Sequence, residues 1–252
     1  MEEILNIVDL SKFYKDKLAL NKVNLTFYKG EMVAIIGESG SGKTTLAKII
    51  IGLEKLDIGE ILYSGIRLKS LKKREFTICA DIQYIFQDPY SSLEDCHSLR
   101  LELEEPIRIC KRHKRDFISI DRALSLVDLN LLPLLDKKIC TLSGGQRQKV
   151  AIARALIPNP KIIIADECTS MLDEESSTDI FKSFNNIRIN QGTTLITIVH
   201  NIDFFNGYWD RILVIKNGEI EDDESFKDFY INAKSEYSKD LIKGYKFLRR
   251  IN

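Results

Sequence analysis

Short apolar runs alternate with longer amphipathic stretches along the chain, and this pattern predicts strands separated by helices. Residues 23–28 alternate apolar and polar side chains, as a strand with one exposed face does. Residues 32–36 form an apolar run of strand length, and the strand expected at 161–165 contains the apolar run 162–165. Both are typical of buried parallel strands. Further strands are expected at about 58–63, 80–86 and 193–199, and a hairpin with an Asn217-Gly218 turn at 211–222.

Between these strands, a region from about residue 88 to residue 158 has a different character. It shows helical periodicity with few β-branched runs, and Pro158-Asn159-Pro160 ends it. We therefore expect a helical subdomain inserted into an α/β core. The core with its insertion should occupy residues 1–222, followed by a polar and helical tail at 223–252.

Bulk properties narrow the class of protein. The 37 Lys and Arg residues balance the 37 Asp and Glu residues, so no nucleic-acid partner is expected. The apolar runs fall far short of the roughly 20 residues that span a bilayer, and the start of the chain does not resemble a secretion signal. Five scattered cysteines without a C-x-x-C pair indicate reduced thiols in a cytosol.

A glycine-rich loop provides the first candidate chemistry. Residues 37–44 match the phosphate-binding pattern G-x-x-x-x-G-K-[ST], with a strand before them and a helical pattern through Leu53 after them. Lys43 is expected to supply positive charge to the phosphates, and Thr44 to offer its hydroxyl to Mg²⁺. The predicted nucleotide-binding residues are Gly37, Glu38, Ser39, Gly40, Ser41, Gly42, Lys43, Thr44 and Thr45.

Two acids at the end of the apolar strand near residue 162 form the second candidate site. In doubly wound sheets, ligands bind at the carboxyl ends of the strands, so Asp166 and Glu167 should face the phosphates. Asp166 is the expected Mg²⁺ partner, and Glu167 the general base that polarises water. Gln87 and His200 also follow apolar strands. On its own Gln87 is more typical of an ordinary loop residue, and His200 is equally compatible with a γ-phosphate contact and with a surface residue.

The run Leu142-Ser143-Gly144-Gly145-Gln146 is the most informative segment. Ser143 and Gln146 have the spacing of a helix capping box, and the two glycines leave backbone N–H groups open to an anion. These five residues alone are compatible both with a phosphate sensor and with an ordinary capped helix start.

In order and spacing, these segments resemble the nucleotide-binding domain of ATP-binding cassette (ABC) proteins, from residue 1 to about 222. The resemblance implies a P-loop NTPase core with a parallel sheet, an N-terminal antiparallel β-subdomain and the inserted helical subdomain. It also implies ATP and Mg²⁺ as cofactors, bound between two subunits that pair head to tail.

The resemblance assigns a role to each candidate residue. Catalysis would involve Glu167, His200 and Gln87, and the metal would be held by Thr44, Gln87 and Asp166. Tyr14 resembles the aromatic residue that stacks on adenine, and residues 170–173 resemble the loop that links the two sites of the dimer. The signature residues Ser143, Gly144, Gly145 and Gln146 would meet the γ-phosphate held by the other subunit.

Within that family, residues 86–93 and 37–43 resemble the peptide and nickel importer branch. The resemblance implies two membrane permease subunits, an extracytoplasmic solute-binding protein and a second ATPase subunit, identical or not, with this chain at the cytoplasmic face of the membrane. Glu94-Asp95 replaces the usual Asn-Pro, Asn201 replaces a common Asp, and Cys168 stands where Pro or Ala is usual. The alternatives are a soluble ABC ATPase, for example in iron–sulfur cluster assembly, or a lipoprotein-release cassette.

Overall fold

The computed structural model describes residues 2–200 and 207–248, so Asn201 lies outside the described residues. The strands within these ranges are β1 (Glu3–Tyr14), β2 (Lys17–Tyr28), β3 (Met32–Ile36), β4 (Ile58–Tyr63), β5 (Ile66–Arg67), β6 (Ile82–Ile85), β7 (Ile162–Asp166), β8 (Thr194–Ile198), β9 (Arg211–Lys216) and β10 (Glu219–Ser225). The α-helices are α1 (Lys43–Ile51), α2 (Phe76–Asp81), α3 (Pro89–Ser92), α4 (Leu99–Arg112), α5 (Ile120–Val127), α6 (Gly144–Leu156), α7 (Glu174–Gln191), α8 (Phe226–Asn232) and α9 (Glu236–Leu248).

The chain forms two compact units, one of Met1–Arg74 with Ile196–Asn252 and one of Glu75–Leu195. The boundary between them falls within the sequence of β8. No helix of the described residues is long and apolar enough to cross a membrane.

The first unit contains an antiparallel sheet in the order β2-β1-β4-β5 and a set of core strands. In the core, β3 pairs in parallel with β9, from Val33 opposite Arg211 to Ile36 opposite Val214, and β10 pairs antiparallel with β9. All five side chains of β3 are buried, as its apolar run predicted. The predicted hairpin is present, with Asn217 and Gly218 at φ 49° and 83° in its turn, and it extends to Ser225 rather than 222.

The N-terminal strands are longer than the sequence pattern predicted. The strand expected at residues 23–28 is the second half of β2, and β1 precedes it. The pairing of β1 with β2 is interrupted by register shifts, one of them between Ile7 and Leu10, and Asp9 adopts φ 47°. Such bulges break strict alternation, which is the signal by which a strand is detected.

The second unit combines a parallel strand pair with most of the helices. β6 pairs with β7 from Ile82 opposite Ile162. The strand expected at 80–86 therefore begins later, because residues 76–81 form α2. Helices α3 to α6 lie between Pro89 and Leu156, within the region where helical periodicity was found, and α7 follows β7. The mixture of parallel and antiparallel sheets confirms the predicted α/β class.

Candidate functional site

The glycine-rich loop of the first unit joins β3 to α1 and requires glycine at both ends. Gly37 and Gly42 have φ values of 148° and 112°. A Cβ atom at Gly37 would lie 2.1 Å from the carbonyl oxygen of Ile215, and one at Gly42 would lie 2.7 Å from that of Ala19. The backbone therefore packs too closely for any side chain at these two positions.

Lys43 is buried, and its Nζ donates to the carbonyl oxygens of Gly37 and Glu38 at 2.8 Å each. The ammonium group thus lies across the loop. Gly42 is the N-cap of α1 and contributes no side-chain cap, so the positive end of that helix is directed at the loop. The other predicted residues of this segment are Ser39 and Gly40, which are exposed, Ser41, which is buried, and Thr44 and Thr45, which are half-buried.

Tyr14, predicted to stack on adenine, ends β1 with 42% of its surface exposed. The ammonium of Lys12 lies 5.2 Å from the centroid of its ring and forms an ion pair with Asp57 at 3.5 Å. An exposed aromatic face held against a cation is compatible with stacking on a base.

His200 lies in the same unit as the glycine-rich loop. It directly follows Val199, whose N–H donates to the carbonyl oxygen of Ile35, and Thr197 donates to Val33. These bonds place residue 200 at the end of β3 where the glycine-rich loop begins. Its side chain is exposed.

In the second unit, Asp166 is the last residue of β7 and is buried. The hydroxyl of Tyr84 donates to Asp166 Oδ2 at 2.6 Å. Burial raises the pKa of Tyr84, and the hydrogen bond to Asp166 raises it further. Tyr84 was not predicted as a site residue, although it lies in the strand expected at residues 80–86.

Gln87 and Glu167, which the sequence linked only through a family resemblance, are in contact. The amide nitrogen of Gln87 donates to Glu167 Oε2 at 3.0 Å and to the hydroxyl oxygen of Ser170 at 3.2 Å. Glu167 has φ 48°, a left-handed backbone conformation that is uncommon for a residue with a side chain. Such strain is found at functional sites, where the surrounding structure maintains it.

The signature run begins α6 with the predicted capping box. The hydroxyl of Ser143 accepts from the Gln146 N–H at 3.3 Å, and Gln146 Oε1 accepts from the Ser143 N–H at 2.9 Å. The glycines are half-buried: a Cβ at Gly144 would lie 3.3 Å from the Tyr90 hydroxyl, and one at Gly145 3.1 Å from Ser176 Oγ. A side chain at either position would therefore require Tyr90 or Ser176 to move by a few tenths of an ångström.

Arg147 holds the start of this helix and was missed by the sequence analysis. Its buried guanidinium donates to the carbonyl oxygen of Leu142 at 3.3 Å and to Asp95 at 2.5 Å, and lies 4.5 Å from the ring centroid of Tyr90. Asp95 is one of the two residues that depart from the usual Asn-Pro. Its carboxylate joins the segment after Gln87 to the signature helix.

Asp173 and Cys168 are both held by local structure in the second unit. Asp173 is the N-cap of α7 and accepts from the Ser176 N–H at 2.8 Å. This hydrogen bond lowers the pKa of Asp173. Cys168 is buried, and burial raises the pKa of its thiol to about 12. Cys168 is thus a small buried side chain in this structure.

These residues fit the cofactors that the sequence implied. The loop around Lys43 presents a cation and a helix N-terminus, the groups that bind phosphates. Asp166 and Gln87 in the second unit, and Thr44 in the first, each offer oxygen atoms, which are the ligands that Mg²⁺ prefers. When bound, Mg²⁺ neutralises charge on the phosphate oxygens.

Comparison with known proteins supports the same conclusion. Residues 20–170 match the family model described as "ABC transporter". Over 96% of its length the chain is 34% identical to the phosphonates import ATP-binding protein PhnC of Fusobacterium nucleatum subsp. nucleatum, covering 98% of that protein. It is also 34% identical to the oligopeptide transport ATP-binding protein OppF of Lactococcus lactis subsp. lactis, over 96% of this chain and 80% of the relative. With the nickel import ATP-binding protein NikE of Escherichia coli O157:H7, the identity is 34% over 86% and 85% of the two chains.

Solved structures agree with the fold. The chain is similar to cbiO1 from Clostridium perfringens, described as part of the ABC transporter complex cbiONQ, with a TM-score of 0.81 and 29% identity over 100% of this chain and 98% of that one. It is also similar to the dimeric ATP-binding cassette MJ0796 bound to ADP and Pi, with a TM-score of 0.74 and 32% identity over 88% and 98% of the two chains. The chain therefore belongs to the ABC transporter family, as one of its ATPases that bind and hydrolyse ATP with Mg²⁺.

Proposed function

We propose that this chain is the ATPase subunit of an importer and that its solute is a peptide or a nickel-type metal ion. Its importer relatives include proteins named for oligopeptides and for nickel, but also one named for phosphonates. Residues 86–93 and 37–43 favour the first two, because they resemble that branch in sequence.

The observation that carries the catalytic assignment is the hydrogen bond from Gln87 to Glu167. It joins a neutral amide, able to ligate a metal and orient water, to the carboxylate expected to act as general base. A positioned base contributes typically about 10²- to 10⁴-fold to the rate of a reaction. The proposed roles of the other residues are phosphate binding by the glycine-rich loop with Lys43, metal binding by Thr44 and Asp166 with Gln87, a γ-phosphate contact by His200 and adenine stacking by Tyr14.

The active form would be a dimer of two ATPase subunits. Ser143 and its neighbours at the start of α6 would meet the γ-phosphate bound by the partner subunit, so the signature completes the site of another chain. Ser143 is exposed, and its hydroxyl and the two glycines that follow fit this role. The similar cassette MJ0796 is dimeric. Both half-sites are encoded here, so the partner can be a second copy or a related subunit.

Transport would require membrane permease subunits, and the second unit offers a place for them. A cavity of about 270 Å³ lies beside the strand that leads to Gln87, between it and the helices α4 and α6. Phe86 and Ile109 line it and are 46% and 38% exposed, and Glu105 and Arg154 contribute charge. A permease segment bound here would touch the strand that leads to Gln87. The chain would then act at the cytoplasmic face of the membrane, with a solute-binding protein on the far side.

The catalytic proposal is tested with Glu167→Gln. The variant removes the base and keeps the size of the side chain, so it should hydrolyse ATP at least about 100-fold more slowly and elute as an ATP-bound dimer on gel filtration. Adding Ser143→Arg should prevent this dimer while leaving ATP binding to the single chain intact. Unchanged turnover of Glu167→Gln would contradict the assignment of the base, and a dimer that survives Ser143→Arg would contradict the role of the signature.

The importer proposal is tested by recovering the chain with its partners from solubilised membranes. Permease subunits should co-purify, and reconstituted vesicles should take up peptides or Ni²⁺ on addition of ATP. Recovery of soluble partners alone would favour the alternative, a soluble ABC ATPase.

A further inference from the structure

The C-terminal helix α9 reaches the glycine-rich loop through one side chain. The backbone N–H of Glu38 donates to the hydroxyl oxygen of Tyr237 at 2.9 Å. Tyr237 lies in the first turn of α9 and is half-buried, whereas Glu38 is exposed. This bond links residues that are 199 positions apart in the sequence.

Other contacts fix the position of Tyr237. The ammonium of Lys216, the last residue of β9, lies 4.5 Å from the centroid of its ring. The start of α9 is held by Asp222, whose carboxylate accepts from the Ser235 N–H at 3.2 Å, and Ser235 Oγ caps the Ser238 N–H at 3.0 Å. The hydroxyl is thus presented to the loop by an anchored helix rather than by a mobile tail.

The middle of the loop is held by the same part of the chain. The N–H of Gly218, in the turn between β9 and β10, donates to the carbonyl oxygen of Ser41 at 2.9 Å. The carbonyl oxygen of Gly218 in turn accepts from the Asn21 N–H at 2.9 Å. Both the second residue of the loop and its fifth are therefore bonded to groups that follow β9 in the sequence.

We propose that Tyr237 is a positioning residue that holds the glycine-rich loop in its anion-binding shape before ATP arrives. The inference rests on the proposed role of this loop in binding the phosphates of ATP. Without the hydroxyl, the peptide group between Gly37 and Glu38 loses the bond at its N–H and keeps the one that its carbonyl oxygen accepts from Lys43 Nζ. The loop is then held less firmly and spends part of its time in shapes that do not bind. Apparent affinity then falls by the fraction of competent loop, while the bound complex, once formed, reacts as before.

The test is Tyr237→Phe in the full chain, with ATP affinity measured by calorimetry and turnover by phosphate release. Loss of one hydrogen bond should weaken ATP binding and raise KM about two- to tenfold, while kcat stays within about twofold. The matched control is Tyr230→Phe, which removes a hydroxyl from α8, where the ring packs against Phe226 and Phe229. An unchanged ATP affinity, or an equal loss in the control, would overturn the proposal.

A second measurement removes the donor instead of the acceptor. Proline has no backbone N–H, so in a Glu38→Pro background Tyr237→Phe should change ATP affinity by less than about twofold. A loss as large as in the unaltered chain would show that the hydroxyl acts elsewhere and would overturn the proposal. The variant Lys43→Ala tests the phosphate-binding role of the loop separately from the positioning role of Tyr237. Retention of ATP binding by that variant would remove the proposed role of the loop itself, whereas its loss, beside an unaffected Tyr237→Phe, would remove only the positioning role.

Discussion

Replacing Arg154 by leucine should destabilise the helical part of the second unit by about 3 kcal/mol. Arg154 Nη1 donates to Glu102 Oε2 at 2.7 Å, and Nη2 donates to the carbonyl oxygen of Ser92 at 2.6 Å. The side chain of Glu102 is only 2% exposed and that of Arg154 is 26% exposed. The pair therefore connects α4, α6 and the segment that follows Gln87.

The magnitude follows from the burial of the carboxylate. Removing one partner of a buried ion pair costs about 3–5 kcal/mol, because the remaining charge loses its compensation. The lower end applies here, since His97 and the Glu94 N–H still contact Glu102 Oε1 at 2.9 Å and 3.1 Å. With an m value of about 3 kcal/mol per molar urea, the midpoint of unfolding should fall by about 1 M.

The assay is urea unfolding followed by far-UV circular dichroism. Arg100→Leu is the matched control, because Arg100 lies on α4 close to Glu102 but pairs with Asp136, which is exposed. The unfolding midpoint of this variant should not differ measurably from that of the unaltered chain. The double variant Glu102→Leu with Arg154→Leu should lose less stability than the sum of the two single variants, because neither charge is then left buried alone. A midpoint for Arg154→Leu as high as that of Arg100→Leu would refute the reasoning.

Two further predictions concern packing near the proposed catalytic residues. Burial raises the pKa of Cys168 to about 12, so a thiol reagent at pH 8 should modify the exposed Cys96 and Cys140 and leave Cys168 intact. Peptide mass mapping measures which thiols react. Rapid modification of Cys168 would contradict its burial. Gly145→Ala places a Cβ 3.1 Å from Ser176 Oγ, so it should lower ATP turnover, and Ser176→Gly should restore part of it; a Gly145→Ala variant with full activity would show that the contact relaxes without cost.

Local patterns predicted the parts of this fold that depend on neighbours in sequence. The capping box at Ser143, the buried strand β3 and the Asn217-Gly218 turn were predicted because each is set by a few consecutive residues. The strand β1 was not predicted, since its bulge near Asp9 shifts the apolar positions out of a simple alternation. Tertiary pairing, not local preference, defines where that strand runs.

The residues of the candidate site likewise differ in whether the sequence could predict them. Motifs identified the glycine-rich loop and the acids at the end of β7, because their chemistry requires a fixed spacing. The hydrogen bonds from Tyr84 to Asp166, from Arg147 to Asp95 and from Glu38 to Tyr237 were not predictable, since the partners are 82, 52 and 199 residues apart in sequence. The contact between Gln87 and Glu167 was suggested only by family resemblance, and their 80-residue separation gives no local signal.

The left-handed backbone at Glu167, the proposed general base, limits which residues can replace it. At φ 48°, Gly, Asn or Gln is accommodated, whereas Val, Ile or Thr would crowd the backbone through a branched Cβ. Descendants of this protein that abandon hydrolysis and keep the fold should therefore carry a residue without a branched Cβ at position 167. The backbone conformation at position 167 would thus still exclude branched side chains after the carboxylate itself had been replaced.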